Sequence, residues 1–183
     1  LAANHARVKN VPYLGICLGL QIATIEFCRN VLGMSGANST EFEDNPEHAA
    51  IVFMPEISKT HLGGTMRLGS RPTIWQHEGS TIRGLYGAGE TVDERHRHRY
   101  EVNPDLIERI EEAGLLFVGK DDSGQRCEIF ELNDHPYYVG VQFHPEFKSR
   151  PGKPSPPFLG LLKAATGRLL SLIHISEPTR RKR

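Results

Sequence analysis

The sequence predicts a single α/β domain, and three observations lead to that fold class. At roughly 150 residues per domain, the 183 residues correspond to about one domain. Apolar residues make up 38% of the chain, and the 18 glycines bring it into the range of folded soluble domains. Apolar runs of strand length alternate with segments whose apolar residues recur at helical spacing. Such mixtures are typical of α/β architectures.

The predicted elements follow in order from the N-terminus. The opening residues are polar and carry no helix start signal, so the apolar run VPYLGI is the first predicted strand. Leu18, Ile22, Ile25 and Leu32 then fall near helical spacing, and Gly33 is a helix stop. Residues 35–47 are predicted to form an irregular loop. Further strands are predicted over 50–54, 64–68, 73–76, 96–102, 115–119, 127–132 and 137–143, and further helices over 104–113 and 158–170.

Charge and cysteine content narrow the functional class. Lys and Arg total 22 and Asp and Glu total 22, so the zero formal charge argues against binding nucleic acid or a membrane surface through bulk electrostatics. No run has the length of a membrane span, and the N-terminus lacks the apolar centre of a signal peptide. Cys17, Cys28 and Cys127 are odd in number and unrelated in spacing, which favours reduced thiols in a cytoplasmic protein.

The sharpest chemical feature is the segment Gly15-Ile16-Cys17-Leu18-Gly19, where the first strand becomes a helix. It has the form of a nucleophile elbow with cysteine in place of serine. We expect both flanking glycines to be required by the tight turn, and the helix N-terminus to favour the thiolate of Cys17. The alternative is that Cys17 is a small buried hydrophobic residue at a strand end.

A partner for such a thiolate follows the apolar strand YYVGVQF. The proline of His144-Pro145-Glu146 favours an extended conformation at His144, and residues two apart in an extended chain point the same way. Glu146 can then orient His144, which gives a nucleophile, a proton shuttle and an orienting carboxylate. The alternative for His144 is an exposed or structurally satisfied side chain.

A strip of charge runs from Asp93 to Glu101. In an extended chain it places Arg95, Arg97 and Arg99 on one face and two histidines on the other. The arginine face could hold a carboxylate, or it could be a solvated strand edge whose charges prevent aggregation. No third ligand suggests itself for zinc, so we predict no metal site. No phosphate-binding loop motif is present either.

The combination of PYLGICLGLQ with the distant QFHPEF resembles the class I (triad) glutamine amidotransferases. Three further segments, ANSTEF, GGTMRLG and ERHRHRYEVNP, together with SRPGKPSPPFLGLL, resemble the CTP synthase family. The match extends from Leu1 to about Leu169. The resemblance implies the class I glutaminase fold, an open and mostly parallel twisted sheet flanked by helices, here lacking its first strands.

The resemblance also implies roles for particular residues. Cys17, His144 and Glu146 would form the catalytic triad that hydrolyses L-glutamine. The substrate pocket would include Leu18, Gln21, Glu41 and Arg99. The ammonia released would pass to an amidoligase domain of the same parent chain, which uses ATP and Mg²⁺ to convert UTP to CTP. GTP would be an allosteric activator, and the full-length enzyme would be a homotetramer.

Two departures from the family pattern shape our expectations for this chain. The Pro-Gly-Gly-Phe-Gly oxyanion loop upstream of the elbow is not among these residues, so we expect a fragment that is nearly inactive alone. Residues 1–170 are predicted to be a partial glutaminase domain with no cofactor of its own, and residues 171–183 an atypical, non-native tail. The alternative function is a degenerate amidotransferase-like module that binds without turnover.

Overall fold

Two sheets and five helices form the described part of the chain, residues 1–54 and 66–169, in a computed structural model. The helices are α1 (Ala2–Lys9), α2 (Leu18–Asn30), α3 (Thr81–Tyr86), α4 (Ile107–Glu112) and α5 (Pro156–Ala165). The strands are β1 (Tyr13–Ile16), β2 (Ala37–Ser39), β3 (His48–Phe53), β4 (Arg67–Trp75), β5 (Thr91–His98), β6 (Tyr100–Val102), β7 (Leu115–Lys120), β8 (Cys127–Leu132) and β9 (Tyr138–Val141). The α/β fold class is therefore confirmed.

The larger sheet has the strand order β1-β9-β8-β7-β4-β5. Only β1 and β9 pair in parallel within it, and its other neighbouring strands are antiparallel. The expectation of a mostly parallel sheet is thus wrong for the described residues. The physical reason is that β7, β8 and β9 follow one another through short connections, whereas a parallel pair needs a crossover of a dozen or more residues. A smaller sheet contains β2, β3 and β6.

Apolar side chains pack on both faces of the larger sheet. Successive residues of β9 contribute to opposite faces, because Tyr138 belongs to the cluster that contains α2 residues and Val139 to the cluster that contains α3 and its surroundings. Leu20 and Phe27 of α2 are almost fully buried on the first face. Because both of its faces are buried, β9 lies in the interior of the fold, and it pairs with β1 and β8.

Helix α1 is an element that the sequence analysis did not predict. Its residues carry no capping side chain, but Ala3 and Ala6 are buried. Arg7 forms an ion pair with Glu26 of α2 at 2.7 Å. Tertiary contacts with α2 therefore stabilise a helix whose local sequence signals are weak.

Several predicted boundaries also differ from the structure. Strand β2 lies inside the predicted loop, α3 was not predicted, and β4 runs through Pro72 to join parts of two predicted strands. The predicted strand over 96–102 is divided between β5 and β6, which belong to different sheets. Proline is accommodated in β4 because Pro72 lies beyond the short stretch in which β4 pairs with β7.

The C-terminal helix α5 ends at Ala165, earlier than expected. The predicted tail over 171–183, the last residue of the predicted helix and the start of the strand over 64–68 lie outside the described residues. No helix in the described ranges is long and apolar enough to cross a membrane.

Candidate active site

Cys17 occupies the turn between β1 and α2 in an unusual backbone conformation. Its φ and ψ angles are 51° and −105°, outside the regions that L-residues favour. The backbone N–H of Cys17 donates to the carbonyl of Val141 at 2.7 Å, and the Cys17 carbonyl accepts from the N–H groups of Leu20 and Gln21 in the first turn of α2. These bonds hold a strained turn that presents the thiol at the sheet edge, as the elbow motif predicts.

The two glycines of the elbow are not equally constrained. A Cβ at Gly15 would lie 2.6 Å from the carbonyl oxygen of Gly19 and 2.8 Å from the hydroxyl of Tyr13, so only glycine fits. A Cβ at Gly19 would meet nothing closer than 3.9 Å. The expectation that both glycines are required is therefore correct for Gly15 and wrong for Gly19, because Gly19 lies within α2, where its backbone needs no special conformation.

The electrostatics around the thiol differ from the sequence-based expectation. Burial raises the pKa of Cys17 above its ordinary value, and the carboxylates of Glu146 and Glu41 add to that effect. The backbone N–H of Leu18 and the side-chain amide of Gln142 lower the pKa, but by less. The N-terminus of α2 does favour the thiolate through Leu18, yet desolvation outweighs it in the free site.

His144 and Glu146 lie where the chain leaves β9. The Nδ1 atom of His144 is 2.7 Å from Oε1 of Glu146, so the ring donates its Nδ1 hydrogen to the carboxylate and leaves Nε2 free to exchange protons. The backbone N–H of His144 donates to the carbonyl of Arg95 at 2.8 Å, which ties this segment to β5. The ring also makes an edge contact with Phe147, at 6.1 Å between centroids.

A cavity of about 240 Å³ opens beside Cys17. All four residues expected in the substrate pocket line it, namely Leu18, Gln21, Glu41 and Arg99. The other lining residues are Phe42, Met66, Arg97, His98 and Tyr100. The structure therefore brings the nucleophile and the predicted pocket residues together, and it places the His144–Glu146 pair on the neighbouring strand end.

The cavity carries both signs of charge. Glu41 follows a turn in which its backbone N–H donates to the hydroxyl of the buried Ser39 at 3.1 Å. Arg97 and Arg99 lie on the side contributed by β5 and the residue after it. A ligand that bears an ammonium and a carboxylate, as a free amino acid does, would find an opposite charge for each group.

The residues of the charged strip, Asp93 to Glu101, lie in different surroundings. Arg95 is not among the residues that line the cavity, and its guanidinium carbon lies 5.4 Å from the centroid of the Phe147 ring. His96 and His98 are buried on the opposite face, as the alternation predicts, and their rings are joined by a 3.0 Å contact from Nδ1 to Nε2. Within residues 1–54 and 66–169, no three His, Cys, Asp or Glu side chains form a group that could hold a metal ion.

The sequence analysis missed several residues of the site. Gln142 is the most important, because its Nε2 lies 3.7 Å from the sulfur of Cys17. A signal was present, since Gln142 stands two residues before His144 and strand alternation places both on one side. Three further lining residues, Phe42, Met66 and Tyr100, belong to the segments ANSTEF, GGTMRLG and ERHRHRYEVNP, whose resemblance to the family did not single these residues out.

Comparison with known proteins agrees with this geometry. The family model described as glutamine amidotransferase class-I matches residues 1–164. CTP synthase 2 of Saccharomyces cerevisiae is 58% identical over 179 residues, which cover 94% of this chain and 31% of the yeast protein. CTP synthase of Dictyostelium discoideum is 60% identical over 173 residues, covering 92% of this chain and 30% of that protein.

A solved structure of the Trypanosoma brucei CTPS glutaminase domain with bound acivicin superposes with a TM-score of 0.86 at 38% identity, over 91% of this chain and 64% of that one. The chain spans about a third of the length of the curated relatives it matches. The chain therefore belongs to the class-I glutamine amidotransferase family, and its similarity within that family is to the glutaminase domain of CTP synthases.

Proposed function

We propose that this chain hydrolyses glutamine and supplies the ammonia with which a CTP synthase converts UTP to CTP. The observation that carries the proposal is that Cys17 lines one cavity together with two oppositely charged residues, Glu41 and Arg99. An α-amino acid bound by those charges would extend its side chain toward the thiol. The His144–Glu146 pair on the adjacent strand end supplies the proton transfers.

The first half of the reaction is acylation. His144 accepts the thiol proton at Nε2, and the Cys17 thiolate attacks the carboxamide carbon of glutamine. The oxygen of the resulting tetrahedral intermediate carries the negative charge, which the backbone N–H of Leu18 stabilises. The carbon–nitrogen bond then breaks, and the proton held on His144 passes to the departing ammonia, leaving a thioester on Cys17.

The second half is hydrolysis of that thioester. His144 takes a proton from water, and the hydroxide formed attacks the thioester carbon. The carbon–sulfur bond breaks, which releases the product acid and regenerates the Cys17 thiolate. The new carboxyl group loses its proton to solvent and leaves as glutamate, and the sulfur recovers its proton from His144. Glu146 keeps the ring oriented and stabilises the imidazolium that forms twice in each cycle.

The remaining chemistry belongs, in this proposal, to parts of the parent enzyme outside this chain. An amidoligase domain would use ATP and Mg²⁺ to activate UTP and would receive the ammonia. GTP would activate the glutaminase step, and the enzyme would work as a cytoplasmic homotetramer. Each of these statements rests on the similarity to CTP synthases.

Substitution of Cys17 by alanine tests the proposal. In a full-length enzyme that contains this domain, Cys17→Ala should abolish CTP formation from glutamine and leave synthesis from free ammonia intact. Cys28→Ala, a matched change at a buried cysteine of α2, should affect neither. Loss of both activities in Cys17→Ala would show that Cys17 is structural, and glutamine binding without glutamate release by the unsubstituted enzyme would favour a binding module.

A further inference from the structure

Gln142 is a buried polar side chain that the proposed mechanism has not used. It follows the last residue of β9, its backbone N–H donates to the carbonyl of Glu128 at 2.8 Å, and only 1% of its surface is exposed. A buried amide costs free energy unless its oxygen and nitrogen both find partners. The partners of the Gln142 amide are Gln21, which lines the cavity, and the sulfur of Cys17.

The orientation of the Gln142 amide is determined by Gln21. The Nε2 group of Gln21 has two hydrogens, and its nitrogen lies 2.7 Å from the carbonyl of Tyr100 and 3.3 Å from Oε1 of Gln142. Because Oε1 of Gln142 accepts from Gln21, the amide must present its NH₂ group on the other side. That group lies 3.7 Å from the sulfur of Cys17 and donates to it.

We infer that Gln142 is a thiolate-stabilising residue that donates a hydrogen bond to the Cys17 sulfur whenever that atom carries negative charge. A bond from N–H to an anion is stronger than one to a neutral group. The interaction therefore favours thiolate formation before attack. It also favours departure of the thiolate when the thioester is hydrolysed, a second effect that rests on the proposed function.

The surroundings of the thiol explain why such a donor is needed. Glu41 and Glu146 act on Cys17 as negative charges and disfavour its ionisation, as does burial. The thiol is also within 3.9 Å of the carbonyl oxygen of Arg97, which stabilises the protonated form. Hydrogen bonds from Gln142 and from the N–H of Leu18 oppose these effects at the sulfur. The same cavity is also lined by three residues that carry basic groups, Arg97, His98 and Arg99.

The test measures the pH dependence of alkylation of Cys17 by iodoacetamide, which reacts with the thiolate. Gln142→Met removes the donor while nearly keeping the volume, and Gln142→Glu keeps the acceptor for Gln21 but replaces the donor by an acid. Both variants should raise the pKa of Cys17 by about 1, so that alkylation at neutral pH slows about tenfold. Gln76→Met, at an exposed glutamine that bonds to Ile74, is the matched control and should leave the rate unchanged.

Peptide mapping assigns the label to Cys17, and thermal unfolding of each variant shows that it is folded. A folded Gln142→Met or Gln142→Glu chain with an unchanged alkylation profile would overturn the inference. The readout does not depend on glutamine turnover. If Cys17→Ala retained glutaminase activity, the proposed function would fail while the role of Gln142 at the sulfur would still be decided by alkylation.

Discussion

The backbone N–H of Cys17 donates to the carbonyl of Val141 at 2.7 Å, and this bond extends the parallel pairing of β1 and β9 by one residue. Parallel strands end at the same edge of a sheet, so the residues that follow Ile16 and Val141 emerge together. Cys17 and Gln142 therefore meet although they are 125 residues apart in sequence. The strand pairing, rather than any loop, determines the position of the nucleophile relative to its partners.

The first prediction concerns the elbow, where substitution of its two glycines by alanine should change stability differently. Gly15→Ala should destabilise the chain by about 1–3 kcal/mol, because the new Cβ would overlap backbone atoms of Gly19 that cannot move aside. Gly19→Ala should leave stability unchanged or raise it by up to about 1 kcal/mol, because alanine favours the helix and the site has room. Urea unfolding of the two variants checks this difference, and equal losses would contradict it.

Local patterns were sufficient to predict where Cys17 and His144 lie in the fold. The change of period at Cys17 and the end of the apolar run before His144 placed both residues correctly at strand ends. The contact of Glu146 with His144 was expected from an extended chain, whereas Pro145–Lys148 form a short 3₁₀ helix. Alternation along β5 likewise predicted that His96 and Arg97 lie on opposite faces, and the structure shows His96 buried and Arg97 exposed.

Features that depend on distant contacts were not predictable in the same way. Helix α1 is stabilised by tertiary contacts, among them the Arg7–Glu26 ion pair, which its own sequence does not reveal. The helix N-terminus that favours the thiolate of Cys17 is visible in the sequence, whereas the burial that raises the pKa of Cys17 depends on the whole fold and is not. Gln142 was missed because its importance depends on Gln21, which lies on another element.

A second prediction concerns Glu146 and distinguishes the effect of its carboxylate on His144 from its effect on Cys17. Glu146→Gln should slow glutamine hydrolysis by about 10²-fold, because an amide neither fixes the required His144 tautomer nor stabilises the imidazolium. The same change should lower the pKa of Cys17, because the carboxylate of Glu146 disfavours the thiolate. Faster alkylation of Cys17 together with slower turnover is the expected signature. Glu112→Gln, at an exposed site on α4, is the control, and unchanged turnover in Glu146→Gln would remove this residue from the mechanism.

Arg99 gives a third prediction, which concerns substrate binding. Arg99→Lys should raise the KM for glutamine about ten- to a hundredfold with a smaller effect on kcat, because a point ammonium cannot reproduce a two-pronged contact with a carboxylate. Arg109→Lys, on α4 and outside the cavity lining, is the matched control. Steady-state kinetics of the full-length enzyme provide the measurement. A KM that does not change in Arg99→Lys would exclude a substrate contact at this position.

The histidines of β5 form a buried polar cluster with two glutamates, and one of them, His98, also lines the cavity. His96 lies 3.7 Å from Glu128 and His98 lies 3.5 Å from Glu101. Burial lowers the pKa of His96 to about 2 and of His98 to about 3, and the same burial raises the pKa of Glu101 and Glu128 to about 7. The arginines bonded to these carboxylates, Arg126 at Glu101 and Arg67 at Glu128, reduce that rise. The raised pKa values of the glutamates favour the folded chain as the pH falls, and the lowered pKa values of the histidines favour the unfolded chain, so the two contributions to pH-dependent stability oppose each other.

The fourth prediction is that replacing one histidine changes how the free energy of unfolding depends on pH. His96 has a lowered pKa in the folded chain, so it contributes stability that is present above pH 6.5 and is lost as the pH falls toward 2. His96→Gln removes that contribution, and its destabilising effect should therefore be largest at neutral pH and shrink by about 1.4 kcal/mol for each pH unit below 6.5. Phe143→Leu is the control, because it alters packing against the same ring without removing a titratable group, and its cost should not depend on pH. Urea unfolding at pH 7.0, 6.0 and 5.0 provides the measurement. A constant difference between the unsubstituted chain and His96→Gln would mean that His96 becomes protonated in the folded state as readily as in the unfolded one.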